Sequence, residues 1–436
     1  MRTRDARVVY LVLQSATALL RTTTWTTAAI YLINKAHLGP LQLVLLGTIM
    51  EASILVFEIP TGIVADALSR RLSVLIGTVL MGTAMTLTGA IPHFPALLAS
   101  QALWGLGSTF TSGATQAWVA GEVGDQAVGP LFLRAAQYQR AAAAAGIALS
   151  VGLANLALGL PLVVGGALQI ALAGWLVLAM PETGFRPLPR EERTTWRRLA
   201  GTARGGAAAT RRNRVLLALF AVAVLAAMST EGIDRLWELH LLREVGLPSL
   251  GHLSPATWFG VIELASLAFG AAVIAPARRR VDTGDQMALC RLLLGLTLVE
   301  TAALVAFGLA TGFGLAATAL LAYGGARGLR DPLYDAWVVP MIEPRVRATV
   351  LSAIGQADAV GEVMGGPAIG LIATVGTPGI AIVAAGAALV PVMALLGRLG
   401  RGDERRARPF PLYGRARRPS RDRSQGLPGG SGGIRR

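Results

Sequence analysis

Apolar residues along this chain come in long unbroken blocks separated by short polar breaks. The blocks run about 18 to 25 residues, the length needed to cross a bilayer's hydrocarbon as a helix. They predict spans at 8–33, 41–64, 72–91 and 96–119, two more within 121–180 broken near Gly159 and Pro161, and then 215–242, 256–277, 287–309, 313–339, 350–375 and 379–396. The expected fold class is all-α and membrane-spanning, with twelve helices in two matched sets of six. The first block shows no small-residue cleavage site behind it, so it reads as a retained helix and not as a secretion signal.

The polar breaks divide the chain further. Residues 1–7 read as a short N-terminal segment, 8–180 as one six-helix bundle, 181–214 as an Arg-rich linker without spanning length, 215–398 as a second bundle, and 399–436 as a basic tail. The tail holds too little apolar surface to offset the entropy of ordering it. Arg concentrates in alternate loops and at both ends, the pattern that keeps segments on the cytoplasmic side. Both termini are therefore expected in the cytoplasm, and the Ala and Arg richness with a single Lys, Lys35, points to a bacterial plasma membrane.

Composition agrees with a bilayer protein. Of 436 residues, 53% are hydrophobic and 15% charged, where a soluble domain carries roughly 25% charged residues. The net charge of +15 raises the question of nucleic acid, but its confinement to alternate loops argues for topology and against nucleic-acid binding. The lone Cys290 allows no intramolecular disulfide, and four scattered His give no metal site. There is no phosphate-binding loop and no hydrolase elbow around Ser112, so no cofactor, metal or catalytic residue is expected.

One local pattern is specific. Glu58, Gly62, Asp66, Arg70 and Arg71 fall at the junction of the second and third blocks. Gly62 permits close helix approach, Asp66 sits where a carboxylate can accept from Arg or a helix N-terminus, and the Arg pair lies at headgroup level. This arrangement resembles the signature of the major facilitator superfamily, in particular its bacterial twelve-helix efflux branches. The resemblance implies two pseudo-symmetric bundles around a central cavity, and a latch at these five residues that shuts the cytoplasmic side. A degraded second copy is expected where such folds repeat, and Arg278, Arg279, Arg280, Asp282, Gly284 and Asp285 supply it. Gly361, Gly365, Gly366, Pro367 and Gly370 resemble the Gly- and Pro-containing helix of drug antiporters, but in the symmetry-related eleventh helix. A small-residue packing face is the alternative reading. In the fourth helix Gln101, followed by Trp104, stands where relatives carry a buried Arg.

Ionisable groups at bilayer depth are functional candidates by default. At about 1.5 Å rise per residue, Arg21 and Glu51 both fall near the midplane and are expected to pair with each other or face substrate, with Gln101 and Trp104 beside them. Glu231, Asp234 and Arg235 in the seventh helix, with Glu238 and His240, suit an outer gate. Asp358 and Glu362 are one turn apart and resist ionising together. With Glu300 they are the proton-coupling candidates, Glu263 being a weaker one. Arg327, Arg330, Asp331 and Asp335 are expected as a salt-bridge network near the inner end of the tenth helix. Trp25, Trp104, Trp118, Trp237 and Trp337 are either cavity contacts or packing residues.

These features favour a secondary transporter over an enzyme. The first expectation is proton-coupled export of small amphipathic compounds by a monomer, with the bilayer, protons and a small-molecule substrate as partners. Alternatives are proton-symport uptake of a metabolite and a non-transporting sensor or scaffold.

Overall fold

The computed structural model describes residues 5–185, 214–249, 253–282, 284–342 and 347–403. Most of the expected linker, with Arg186, Arg193, Arg197, Arg198, Arg211 and Arg212, lies outside the described residues, as do Thr283 and the tail from 404.

Every span forms as a helix. In chain order they are α1 (Ala6–Trp25, resuming as Ala28–Asn34), α2 (Pro40–Ala67), α3 (Arg70–Ala90), α4 (Phe94–Thr111, resuming as Ala114–Val123), α5 (Asp125–Leu156) and α6 (Leu160–Ala179). Then follow α7 (Arg214–His240, ending in a π turn Leu241–Val245), α8 (Pro255–Arg280), α9 (Gln286–Gly308), α10 (Phe313–Val338), α11 (Arg347–Val375) and α12 (Pro378–Ala387, resuming as Leu389–Asp403). The last helix continues past the expected start of the tail at 399. Among the described residues, eight segments are long and apolar enough to cross a membrane. The other four, α1, α4, α5 and α10, are interrupted or carry charged side chains.

Local chemistry sets the ends and breaks. Asp5, Ser69, Ser254, Asp285 and Thr377 each accept from a backbone N–H of the first turn that follows, satisfying otherwise orphaned donors. Asp285 of the expected second motif copy thus serves as a helix cap. Gly113, with φ +68, turns the chain between the two parts of α4, a backbone conformation that favours Gly. At the break in α1, Thr27 hydrogen bonds Ser150 of α5 at 2.9 Å, so the interrupted helix stays tied to its neighbour.

The first six helices pack on one another through α1 with α5 and α6, α3 with α4 and α6, and α2 with α4. The last six pack through α7 with α11 and α12, α9 with α10 and α12, and α8 with α10. Between the halves, α2 packs along α11 and α7, and α5 meets α8. These joints lie toward one end of the molecule. One buried apolar core joins both halves there, from Tyr31, Leu38 and Leu43 to Leu239, Phe259 and Ala381, and continues through the second half to Leu289, Trp337 and Leu396. At the opposite end a separate core, with Val9, Val74, Trp118 and Leu176, belongs to the first six helices alone. Among the described residues, the halves are joined at the Leu38 end and separated at the Asp66 end, which leaves a gap between the described helices on that side.

Candidate functional site

Glycines in α2 and α11 bring the halves together. A Cβ on Gly47 of α2 would collide with Glu231 Oε1 and Arg235 Nε of α7. A Cβ on Gly366 of α11 would lie 2.5 Å from Thr48 Oγ1, and one on Gly370 would lie 3.1 Å from Leu41 Cα. Gly361 and Gly365 do the same against Val224 and Met228 of α7. The Gly pattern of α11 is therefore a packing surface with two faces, one against its own half and one against α2, as small-residue seams in membranes are. Across the other seam, Ser254 Oγ donates to Asn155 Oδ1 at 2.5 Å, and Asn155 Nδ2 donates to Thr257 at 3.4 Å.

Below these seams the charged side chains sort into three groups. In the first, Arg235 Nε donates to Glu231 Oε1 at 3.1 Å, seated in the notch left by Gly47. Glu51 and Glu362 lie beside this pair, within hydrogen-bonding reach of each other across the α2 and α11 seam. Two carboxyl groups share such a bond only when one of them carries the proton.

The second group is on the α7, α9, α10 wall. Arg327 Nη1 donates to Asp234 at 2.9 Å and to Tyr323 Oη at 3.4 Å. Arg330 Nη1 donates to buried Glu300 at 2.6 Å and Nη2 to Asp331 at 3.1 Å. Asp358, Asp331 and Asp335 are exposed around Arg330. The third group is Glu238 of α7, Glu263 of α8 and Arg21 of α1. Glu263 lies within electrostatic reach of both others.

Several expectations change. No ion pair joins Arg21 to Glu51 among the described residues. Arg21 lies within electrostatic reach of Glu263 of α8 instead, with no ion pair between them among the described residues. Gln101 is only 2% exposed and does not line the gap: it shares a helix face with Gly105, which packs on the Met50 carbonyl of α2. Trp104 is half-buried and stacks edge-on against Trp25, while Trp118 and Trp337 are packed inside. Asp358 and Glu362 divide between different partners, the first turning to α10 and the second to α2. Glu300 is paired with Arg330. The α10 network runs from the middle of that helix toward its inner end, Arg327 being about 21 Å and Asp335 about 33 Å from its start by the same rise.

The gate residues also separate. Glu231 and Arg235 bear on the α2 seam, whereas Asp234 is bound to α10 within its own half. His240 is buried, with Nδ1 2.9 Å from Glu244 and Nε2 2.8 Å from the Phe307 carbonyl.

At the open end, Glu58 accepts from Ser112 at 3.0 Å and Arg70 Nη1 donates to the Ala117 carbonyl at 2.9 Å. The Arg71 backbone N–H donates to Glu182 at 2.9 Å. A Cβ on Gly62 would meet nothing within 4 Å, and Asp66 is exposed. The five motif residues share one end of α2 and α3, and those with partners bind within the first half.

Comparison with solved structures fits this architecture. A nucleoside transporter, NupG, superposes with a TM-score of 0.72 at 13% identity, covering 91% of this chain and 99% of the other. A peptide transporter, POT, in complex with sulfate gives 0.67 at 17% identity, covering 91% and 95%.

The chain has the major facilitator fold.

A bacterial homolog of the human lysosomal transporter Spinster, in an inward-facing and occupied conformation, gives 0.65 at 15% identity, covering 92% and 98%. No protein-family model matches the sequence, and no curated protein does. The solved structures it resembles are transporters, and a dozen helices of this fold make the chain an integral membrane protein. Sequence reasoning missed Gly47, whose signal was a small residue one turn before Glu51, and the reach of Arg21 toward α8, which no local spacing encodes.

Proposed function

We propose that the protein is a secondary active transporter that exports small amphipathic compounds in exchange for protons by alternating access. The observation that carries this reading is the gap itself: closed at one end by the α2/α11 and α5/α8 seams, open at the other, and walled by ionisable side chains. Such groups are expensive at bilayer depth unless they serve the transported species. With the Arg-rich loops on the cytoplasmic side, the open end faces the cytoplasm and the chain rests in an inward-open state in a bacterial plasma membrane, with both termini inside.

Proton coupling centres on Glu362 and Glu51. A proton shared between them holds α2 to α11, and its loss leaves two like charges facing each other, which favours separation of that seam. Asp358 is the route by which protons reach this pair from the open end. When the halves rock, Gly62 and Asp66 meet the second half and the five-residue latch closes the inner side. In proteoliposomes, an imposed pH gradient drives solute counterflow if this reading holds; solute flux indifferent to the gradient removes the coupling, and no flux of any solute removes transport.

A further inference from the structure

His240 ends α7 with both ring nitrogens occupied. Nδ1 lies 2.9 Å from Glu244 Oε2, and Nε2 lies 2.8 Å from the Phe307 carbonyl of α9. Glu244 Oε2 also accepts from the Gly379 N–H, in the first turn of α12, at 3.1 Å. Three helices therefore meet on one His and Glu pair. Glycine makes the room: a Cβ on Gly379 would collide with the Gly308 carbonyl, and it would lie 2.8 Å from Glu244 Oε2 and 2.9 Å from His240 Cε1. The ring is 1% exposed and stands edge-on to Phe307 at 5.0 Å between centroids. The Glu244 side chain, on the π turn, is 27% exposed and gives water a way in.

A carboxylate and a peptide carbonyl both accept, and a neutral imidazole has a single N–H to offer them. All three contacts close only when one further proton lies between Nδ1 and Oε2, whichever group holds it. With that proton the pair is neutral overall. Without it, a ring lone pair faces an oxygen and a negative charge is left beside it, which is costly where water is scarce. Among the described residues Glu244 has no ion-pair partner except His240. Residues 301–312 at the end of α9, 313–322 of α10, 363–376 of α11 and 377–397 of α12 hold no ionisable side chain. On α7 itself Glu238 lies two residues back and so points off the face of His240, while Arg243 is exposed. Lys35 and His37, just past the part of α1 that packs on α7, are exposed as well.

We propose that His240 and Glu244 form a proton-binding site of their own, separate from the Glu51 and Glu362 pair, that locks the ends of α7, α9 and α12 together. Occupied, it joins the three helices through one proton; emptied, it gives up the Nδ1 to Oε2 bond. Helix α7 also sets Glu231 and Arg235 against Gly47 of α2, so freeing its end loosens the seam between the halves at that same end. The closed end is held more firmly in acid and more loosely in base, whether or not the chain moves a solute.

The test follows a buried reporter at this end. The full chain in detergent carries Ala310→Cys, a position 4% exposed whose N–H donates to the same Phe307 carbonyl at 3.1 Å. Its labelling rate with a water-soluble maleimide is divided by that of Val375→Cys, a position 82% exposed, which cancels the thiol's own pH dependence. From about pH 5 to about pH 9, a span around the ordinary histidine range, the ratio is expected to rise about ten-fold or more, the worth of a charge-assisted hydrogen bond. Glu244→Gln supplies an amide that donates to Nδ1 while its oxygen accepts from Gly379. A neutral ring then closes all three contacts, and the ratio is expected to stay low and flat. A flat ratio in the parent, or the same rise in Glu244→Gln, overturns the proposal. His240→Phe is expected to give a high ratio at every pH, and a pH-dependent rise surviving in it also overturns the proposal; should it fail to fold, Glu244→Gln decides alone.

Discussion

Gly47 of α2 sits directly against Arg235 of α7, at a point where any side chain on α2 would displace the ion pair that Arg235 makes with Glu231. The contact joins the two halves, so the missing Cβ is a condition for closing this end of the gap.

Gly47→Leu is therefore expected to hold the closed end apart. A cysteine introduced near Leu41 would become more reactive to a water-soluble maleimide in that variant, and native Cys290 is buried and would contribute little background. Labelling equal to that of the parent would mean that the seam tolerates the added bulk.

Glu362→Gln removes one carboxyl of the pair proposed to share a proton with Glu51. The expected outcome is loss of pH-gradient-driven flux with downhill exchange of substrate retained, read in proteoliposomes with and without an imposed gradient. The same split is expected for Glu51→Gln. Gradient-driven flux surviving in both would place coupling elsewhere.

Arg330 holds Glu300 at 2.6 Å with Glu300 only 1% exposed. Removing one partner of a buried pair strands the other charge, at a cost of about 3–5 kcal/mol. Arg330→Ala is expected to lower thermal stability in detergent substantially. The double change Arg330→Met with Glu300→Leu is expected to recover most of it, because an apolar pair strands nothing.

Much of the fold was readable from pattern alone, because hydrocarbon imposes a span length that every helix must meet. The boundaries of α2, α9 and α11 fall within a few residues of their apolar blocks for that reason. The charged site was less readable. Spacing along one helix correctly puts Glu231 with Arg235, a one-turn contact. It is silent on Arg21 with Glu263 or Glu51 with Glu362, which depend on which helices of opposite halves meet. It is silent too on the further partners of Asp358 and Glu362, which remain within electrostatic reach of each other while the first turns to α10 and the second to α2.

Among the described residues Asp66 has no partner across the open end, while Arg70 and Arg71 are engaged on α4 and the segment after α6. Asp66→Asn is expected to leave substrate affinity unchanged in this conformation and to slow turnover, since only the opposite state uses the carboxylate. Equilibrium binding and initial transport rate, measured on the same preparation, separate the two. A matching loss in both would give Asp66 a role in binding.

The two seams at the closed end are made of unlike material. Where α5 meets α8, Asn155, Ser254 and Thr257 hold one another by hydrogen bonds that water can replace as the helices part. Where α2 meets α11, glycines let Leu41, Val44 and Thr48 come close, and the same seam carries the Leu41 N–H to Thr374 Oγ1 and Glu51 beside Glu362. The first margin therefore opens like a clasp of hydroxyls and amides that water can undo at any time, whereas the second is expected to part only when its carboxyl pair lets go, so the halves swing apart unevenly, with the α5/α8 edge yielding first.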